Sequence, residues 1–373
     1  MEVAQTPPSL HVLGLVHTVP TNDYSFCPFT TKVLRFSKMM KPFGYRVVEY
    51  ANEGSLSEAS EKVTIFSTKE YNKYFKDCFS STQEIFVLPS GDPIHLEYQE
   101  KLILELSKRV QPKDFIIHPY GFTFSKVVDI FPNNIHIEMS VGYYPQQVLD
   151  KSICIFQSQA LKNFHIGVEK RAPSAYEFVI PNFYDINDWT VNENPGNYIA
   201  YLGRIKSEKG MDIIRELSKH TTKKIIMAGH GDPEPWLMEN IEYIGPITGK
   251  DRDKFLGNAL CTLVPSTILE PFGGVSIESM LCGTPVLSSN HSVFPEYIRD
   301  GFNGFKNDIL SDWIDSIDKV SSLNRRDIAY HTRSIFSLES IGQRYDKVFR
   351  KVYTLYNNGW YSTKPLQESY NKN

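Results

Sequence analysis

"ALCTLVPSTILEPFGGVSIESMLCGTPVLSS" occupies residues 259–289. It opens on an apolar run, passes through a loop holding Pro271, Gly273 and Gly274, and continues as the apolar segment "VSIESMLC" up to Gly283. A second apolar run, "TPVLSS", follows. Two strand-like runs separated by about one short helix read as a βαβ unit, because parallel strands need a crossover connection. The same alternation fills the chain. Before it come "LHVLGLV" (10–16), "YRVVEYA" (45–51), "KVTIFS" (62–67), "EIFVLP" (84–89), "DFIIHPY" (114–120), "NIHIEMSVG" (134–142) and "SICIFQS" (152–158). Helical patterns such as "FTTKVLRFSKMMKPFG" and "HLEYQEKLILELSKRV" lie between them. Several runs are apolar on both faces, as central strands of a parallel sheet are. The pattern breaks at "PNFYDINDWTVNENPGN" (181–197), a polar, proline-bounded stretch, and then restarts. The predicted fold is α/β: two doubly wound Rossmann-like domains facing across a cleft. The expected division is a first α/β domain over 1–182, a second over 183–345, and a C-terminal helix and tail over 346–373.

Composition bounds the function. The chain has 373 residues, enough for two cores, with a formal net charge of -3. That balance argues against a nucleic-acid partner. No apolar run approaches the ~18 residues of a membrane span. The N-terminus has no basic segment ahead of an apolar one, so a cytoplasmic protein is expected. The five cysteines (27, 78, 154, 261, 282) show neither zinc-ligand nor CxxC spacing and read as reduced thiols.

The chemistry collects at the loop after "ALCTLVPS". A helix beginning near Gly274 presents unpaired backbone N–H groups and the positive end of its dipole. Glycines let a ligand approach that backbone closely. The result is an anion site suited to a diphosphate. Glu270 and Glu278 bracket it. Like charges keep them off the phosphates, but carboxylates accept paired hydrogen bonds from vicinal hydroxyls. Such diols stand at both ends of a nucleotide-sugar. The spacing therefore places Glu270 at the sugar and Glu278 at the ribose. Phe272, Gly273 and Gly274 are expected to touch the substrate from the loop itself.

"EPFGGVSIESMLCGTPVLSS" resembles the E-P-F-G…E…G-T-P-V signature of the retaining glycosyltransferases of family 4, which have the GT-B fold. "YLGRIKSEKGMDII" (201–214), "IIMAGHGDP" (225–233), "IEYIGPI" (241–247) and "FPEYIRDGFNGF" (294–305) are similar to further stretches of that family in the same order. The resemblance assigns Arg204 and Lys209 to the diphosphate, where they would stabilise the departing charge. It also implies retention of configuration and turns the loop around Gly229 toward the nucleotide base. The donor leaned to is GDP-mannose, because mannosyl transfer is frequent in the family. The acceptor is a glycan or another hydroxyl compound.

Other expectations concern the first domain. His17 and His118 follow predicted strands, where site residues collect, and either is a candidate to meet the reacting sugar. Gly14 is a candidate for close approach to the phosphate. No cofactor and no metal are expected. The single D-x-D, "DRD" at 251–253, reads as acidic residues favoured at a helix start. A homodimer is compatible with the sequence. The alternatives are a sugar phosphorylase or nucleotide-sugar epimerase on the same architecture, and a non-catalytic nucleotide-sugar binding module.

Overall fold

The structure is a computed structural model that describes residues 7–76, 91–139 and 152–357. It contains two parallel sheets, one of seven strands and one of six. The first comprises β1 (Leu10–Leu13), β2 (Val47–Ala51), β3 (Glu61–Thr64), β4 (Phe115–His118), β5 (Ile135–Glu138), β6 (Ser152–Phe156) and β7 (Glu177–Val179). Its order is β3-β2-β1-β4-β5-β6-β7. The second comprises β8 (Tyr198–Leu202), β9 (Lys224–Ala228), β10 (Ile241–Tyr243), β11 (Cys261–Val264), β12 (Val286–Ser289) and β13 (Gly304–Asn307). Its order is β10-β9-β8-β11-β12-β13. Both are the doubly wound fold that the alternation predicts. The expected strand at 84–89 lies outside the described residues. The short β7 and the edge strand β13 carry too few apolar residues to have stood out.

Central strands are buried along their whole length: every residue of β1, β2, β4, β5 and β12 is buried. That is why they read as continuous apolar runs rather than alternating ones. In each sheet the chain winds outward in one direction and then returns past its first strand. The reversals fall between β1 and β4 and between β8 and β11. Side chains beyond the carboxyl ends of these strands border a crevice in any sheet so connected.

Several contacts fix the sheets relative to each other. The last helix, Leu338–Asn357, does not stay with the second sheet. It lays Ile341, Tyr345, Phe349 and Val352 into the core formed by Leu10, Phe36, Met39 and Phe115. The connecting stretch read as a polar linker is anchored too. Its Asp185 accepts from Lys38 Nζ at 2.5 Å and its Asp188 from Arg35 at 2.6 Å, both from the helix Pro28–Met40. Finally, the Glu296 carboxylate accepts from the backbone N–H of Gln159 (3.0 Å) and Ala160 (2.7 Å), capping the first helix turn after β6. An acidic group at that end of a helix meets both unpaired donors and the dipole.

Of the five cysteines, Cys27, Cys154, Cys261 and Cys282 are free and buried, and Cys78 lies outside the described residues.

Candidate active-site cleft

The two crevices face each other across a cavity of about 690 Å³. Leu15 and His17 line it from beyond β1, Tyr120 from beyond β4, Gly203 and Arg204 from beyond β8, and Ser266 from beyond β11. The EPFG loop forms its floor.

That loop is held from several sides. The helix after it runs Gly274–Leu281, with Gly273 as N-cap at φ 65°. A Cβ at Gly273 would meet Tyr297 Oη at 2.7 Å and Phe294 at 2.9 Å, so glycine is required by both torsion and space. The Tyr297 hydroxyl donates to the Phe272 carbonyl (2.8 Å), and Ser158 Oγ donates to the Pro271 carbonyl from the first domain (2.6 Å). Ser292 closes the upstream side. Its hydroxyl accepts from the Glu270 N–H (2.7 Å) and donates to the Glu270 carbonyl (2.9 Å), with its own backbone at φ 63°. The helix end is equally fixed. Gly283, at φ 86°, packs against the carbonyl of Arg325, whose buried guanidinium donates to the carbonyls of Asn192, Gly257 and Ala259. Gly274 and Val275, the first residues of that helix, line the cleft, and the first N–H groups of a helix have no intrahelical partner.

Both glutamates line the cleft, and each has a basic partner. Glu270, 7 % exposed, accepts from Lys209 Nζ at 2.5 Å. Glu278 accepts from Arg252 Nε at 2.7 Å, with the Arg252 Nη2 also on its Oε2. Burial pushes the Glu278 carboxyl above the ordinary carboxylate range, and Arg252 draws it back. Lys209 is positioned by Gly210 at φ 82°, where a Cβ would lie 2.0 Å from the Pro265 carbonyl. Arg204 follows β8, its carbonyl held by the Tyr201 hydroxyl at 2.7 Å. Gly229 adopts φ 139° and packs so closely on Gly203 that a Cβ would fall 1.8 Å from its carbonyl oxygen. That contact draws the "GHGDP" loop onto the strand end carrying Arg204.

The cleft thus gathers Glu270, Glu278, Arg204, Lys209, Phe272, Gly273, Gly274, Gly229 and His17. His17 is neutral near pH 7: burial lowers its pKa to about 4, with a smaller contribution from His95. Two candidates fall elsewhere. His118 is buried in the first core. The register pairs Ile116 with His136, so His118 and His136 lie diagonally on one face of the sheet. His136 Nε2 donates to the Phe131 carbonyl (2.9 Å), which leaves its Nδ1 to accept from His118 Nε2 at 3.0 Å. Burial holds His118 well below its ordinary pKa. Gly14 is also away from the cavity. It donates to the Tyr50 carbonyl at 2.7 Å, and a Cβ there would strike that same oxygen, so strand packing explains the glycine.

Arg252 is the residue that sequence reasoning missed. It belongs to the "DRD" stretch, now the first turn of the helix Gly249–Gly257. Asp253 of that stretch turns inward and accepts from the Thr190 N–H (2.8 Å) and hydroxyl (2.9 Å). Among the described residues no group of three or more His, Cys, Asp or Glu side chains is disposed to hold a metal ion. The lining holds the cations Lys32, Arg204, Lys206, Lys209 and Arg252 against the carboxylates of Glu270 and Glu278. A cleft so charged attracts an anionic ligand.

Comparison with known proteins agrees. Residues 185–332 match the family model "Glycosyl transferases group 1". The chain superposes on the sucrose-phosphate synthase of Thermosynechococcus elongatus (TM-score 0.69, 13% identity, 93% of this chain and 99% of that one). It superposes equally on Anabaena HepE in complex with UDP-glucose (TM-score 0.65, 14% identity, 92% and 100%). Together these findings support a GT-B glycosyltransferase. Among curated proteins, a lipopolysaccharide 1,2-N-acetylglucosaminetransferase from Salmonella typhimurium is 23% identical over 323 residues, 74% of this chain and 81% of that protein. An uncharacterized glycosyltransferase from Methanocaldococcus jannaschii is 30% identical over 141 residues, and that match spans 36% of its length. No described helix of the chain is long and apolar enough to cross a membrane.

Proposed function

We propose that the protein is a metal-independent, retaining glycosyltransferase of family 4 that moves a hexose from a nucleoside-diphosphate sugar to a hydroxyl acceptor. The observation that carries this reading is the Lys209–Glu270 pair, 2.5 Å apart in the same cleft as the N-terminus of the helix Gly274–Leu281. A phosphate-binding cation and a hydroxyl-binding carboxylate stand together where a donor's diphosphate meets its sugar.

In this arrangement Arg204, Lys209 and the helix start take the diphosphate and stabilise the charge that develops as the glycosidic bond breaks. Arg offers a planar fork and Lys a point charge, which suits the two ends of that group. Glu270 accepts from hydroxyls of the sugar. Glu278, oriented by Arg252, accepts from the ribose diol. With Glu270 engaged on hydroxyls and Glu278 on the ribose, the described lining of the cleft holds no further carboxylate to act as a nucleophile beneath the anomeric carbon. The acceptor therefore enters from the leaving-group side, and the departing phosphate takes its proton. The contacts of Ser158 and Glu296 across the cleft bring the two domains together around the donor and limit access of water.

The donor proposed is GDP-mannose. UDP-glucose is the second reading, because the Anabaena structure of the same fold holds that molecule. The test is donor breakdown and transfer by wild type, Glu270→Gln and Lys209→Met, with the product anomer read by NMR. Loss of ~100-fold or more in both variants, with folding intact and the donor's configuration preserved in the product, supports the assignment. Near-normal turnover in either variant, or an inverted product, refutes it.

A further inference from the structure

Lys32 has no part in the donor site. It lies in the helix Pro28–Met40 of the first domain, on the stripe that also holds Phe36 and Met40, and it is 5 % exposed. Yet it lines the cleft. Among the described residues no carboxylate pairs with it, whereas Lys209 and Arg252 each have one. A buried ammonium without a counter-ion is costly to keep. Burial lowers its pKa to about 7, with only Cys154 acting in the other direction.

Two more polar groups of the same wall lack partners. Gln157, just beyond β6, is 2 % exposed, and its Oε1 has no hydrogen-bond donor among the described residues. Asn182, where the chain leaves the first sheet, has its Oδ1 in the same condition. Both line the cleft. Buried polar atoms are paired in the great majority of cases, so unpaired ones facing a cavity mark a place where a ligand completes them. Here one cation and two amide oxygens are waiting. The amides suit hydroxyl donors and the ammonium suits an anion.

We propose that Lys32, Gln157 and Asn182 form an acceptor subsite for a hydroxyl compound that carries an anionic group, a phosphate or a carboxylate. The subsite is on the opposite wall from Arg204 and Lys209, so a donor diphosphate and an acceptor anion are held by separate cations. This inference rests on the transfer reading, because it needs an acceptor to bind beside a donor.

The experiment is calorimetric titration of the full chain, saturated with whichever of UDP or GDP it binds. The probes are glucose, glucose 6-phosphate and glucuronate, and the variants are wild type, Lys32→Met and Gln157→Leu. Failure to bind either nucleotide counts against the transfer reading, and the probes are then titrated into the free protein. The subsite is supported if a charged probe binds wild type at least ~10-fold more tightly than glucose and Lys32→Met removes that preference. Nucleotide affinity is expected to stay unchanged in the variant. The phosphate and carboxylate arms tell the two anions apart. Equal binding of all probes, no binding of any, or the same charged-probe affinity in wild type and Lys32→Met overturns it. Folding is checked by heat: Lys32→Met unfolds at a higher temperature than wild type if the ammonium is buried for a ligand's sake.

Discussion

Replacing Arg252 by methionine tests the electrostatics of the donor site without touching the proposed phosphate groups. The substitution keeps an unbranched side chain and leaves Glu278 in place with no counter-ion. Breaking a buried ion pair from one side costs roughly 3–5 kcal/mol. Here both side chains are 13% exposed and face the cleft, which lets water relieve part of that, so about 3 kcal/mol is the expected loss. In a unit of the second domain's size, that lowers its unfolding midpoint by about 6–12 °C. The sign of the pH dependence is fixed as well. Burial already raises the Glu278 carboxyl above its ordinary 4.5. Without Arg252 it rises further, so the folded state binds more protons than the unfolded one and loses stability as pH rises above that value. The gap between variant and wild type should therefore be small near pH 5 and widen toward about pH 8. Adding Glu278→Gln removes the orphaned charge and should recover more than half of the loss. Differential scanning calorimetry of the three proteins across this range measures all of it. A variant as stable as wild type near neutrality, or a gap that does not change with pH, refutes the reasoning.

Three further outcomes follow from the same geometry. Gly229→Ala places a Cβ 1.8 Å from the Gly203 carbonyl at φ 139° and should cost at least ~2 kcal/mol of stability and weaken nucleotide binding, read by thermal shift and calorimetry. His118→Gln, buried against His136 and away from the cleft, should lower stability but leave nucleotide affinity within about twofold of wild type. Glu296→Gln keeps one of the two acceptor oxygens, turns an amide NH2 toward the other backbone N–H and removes the charge, and should cost about 1–2 kcal/mol while loosening the contact between domains, which small-angle scattering of the ligand-free protein would detect.

Much of this was legible in one dimension. The double winding follows from strands that are apolar on both faces, and the EPFG loop from its proline, its two glycines and the helix behind them. Glu270 and Glu278 were readable because they belong to that same local unit. Arg252 was not, since its partner lies 26 residues away and meets it only where two helices pack. Nothing in the "DRD" stretch signals that its arginine turns to the cleft while Asp253 turns to Thr190. His118 and His17 looked alike, each just at or beyond a strand end. The sheet register separates them, placing His118 diagonal to a second histidine and His17 beyond the strand. Lys32 did leave a trace: it falls four residues before Phe36 and eight before Met40, inside an apolar stripe where a lysine has no business unless something needs its charge. The path of the last helix back onto the first sheet had no local signal at all, because its apolar face fits either domain.

The central claim is that the cleft binds a nucleoside-diphosphate sugar through Arg204, Lys209 and the backbone at Gly273 and Gly274. Its most direct test is calorimetric titration of wild type and Arg204→Met with GDP-mannose and UDP-glucose in the presence of a chelator. The account predicts that one donor binds wild type with a dissociation constant in the micromolar range, and that Arg204→Met weakens it ~10-fold or more. No binding of either donor to wild type, or the same affinity in both proteins, would contradict it.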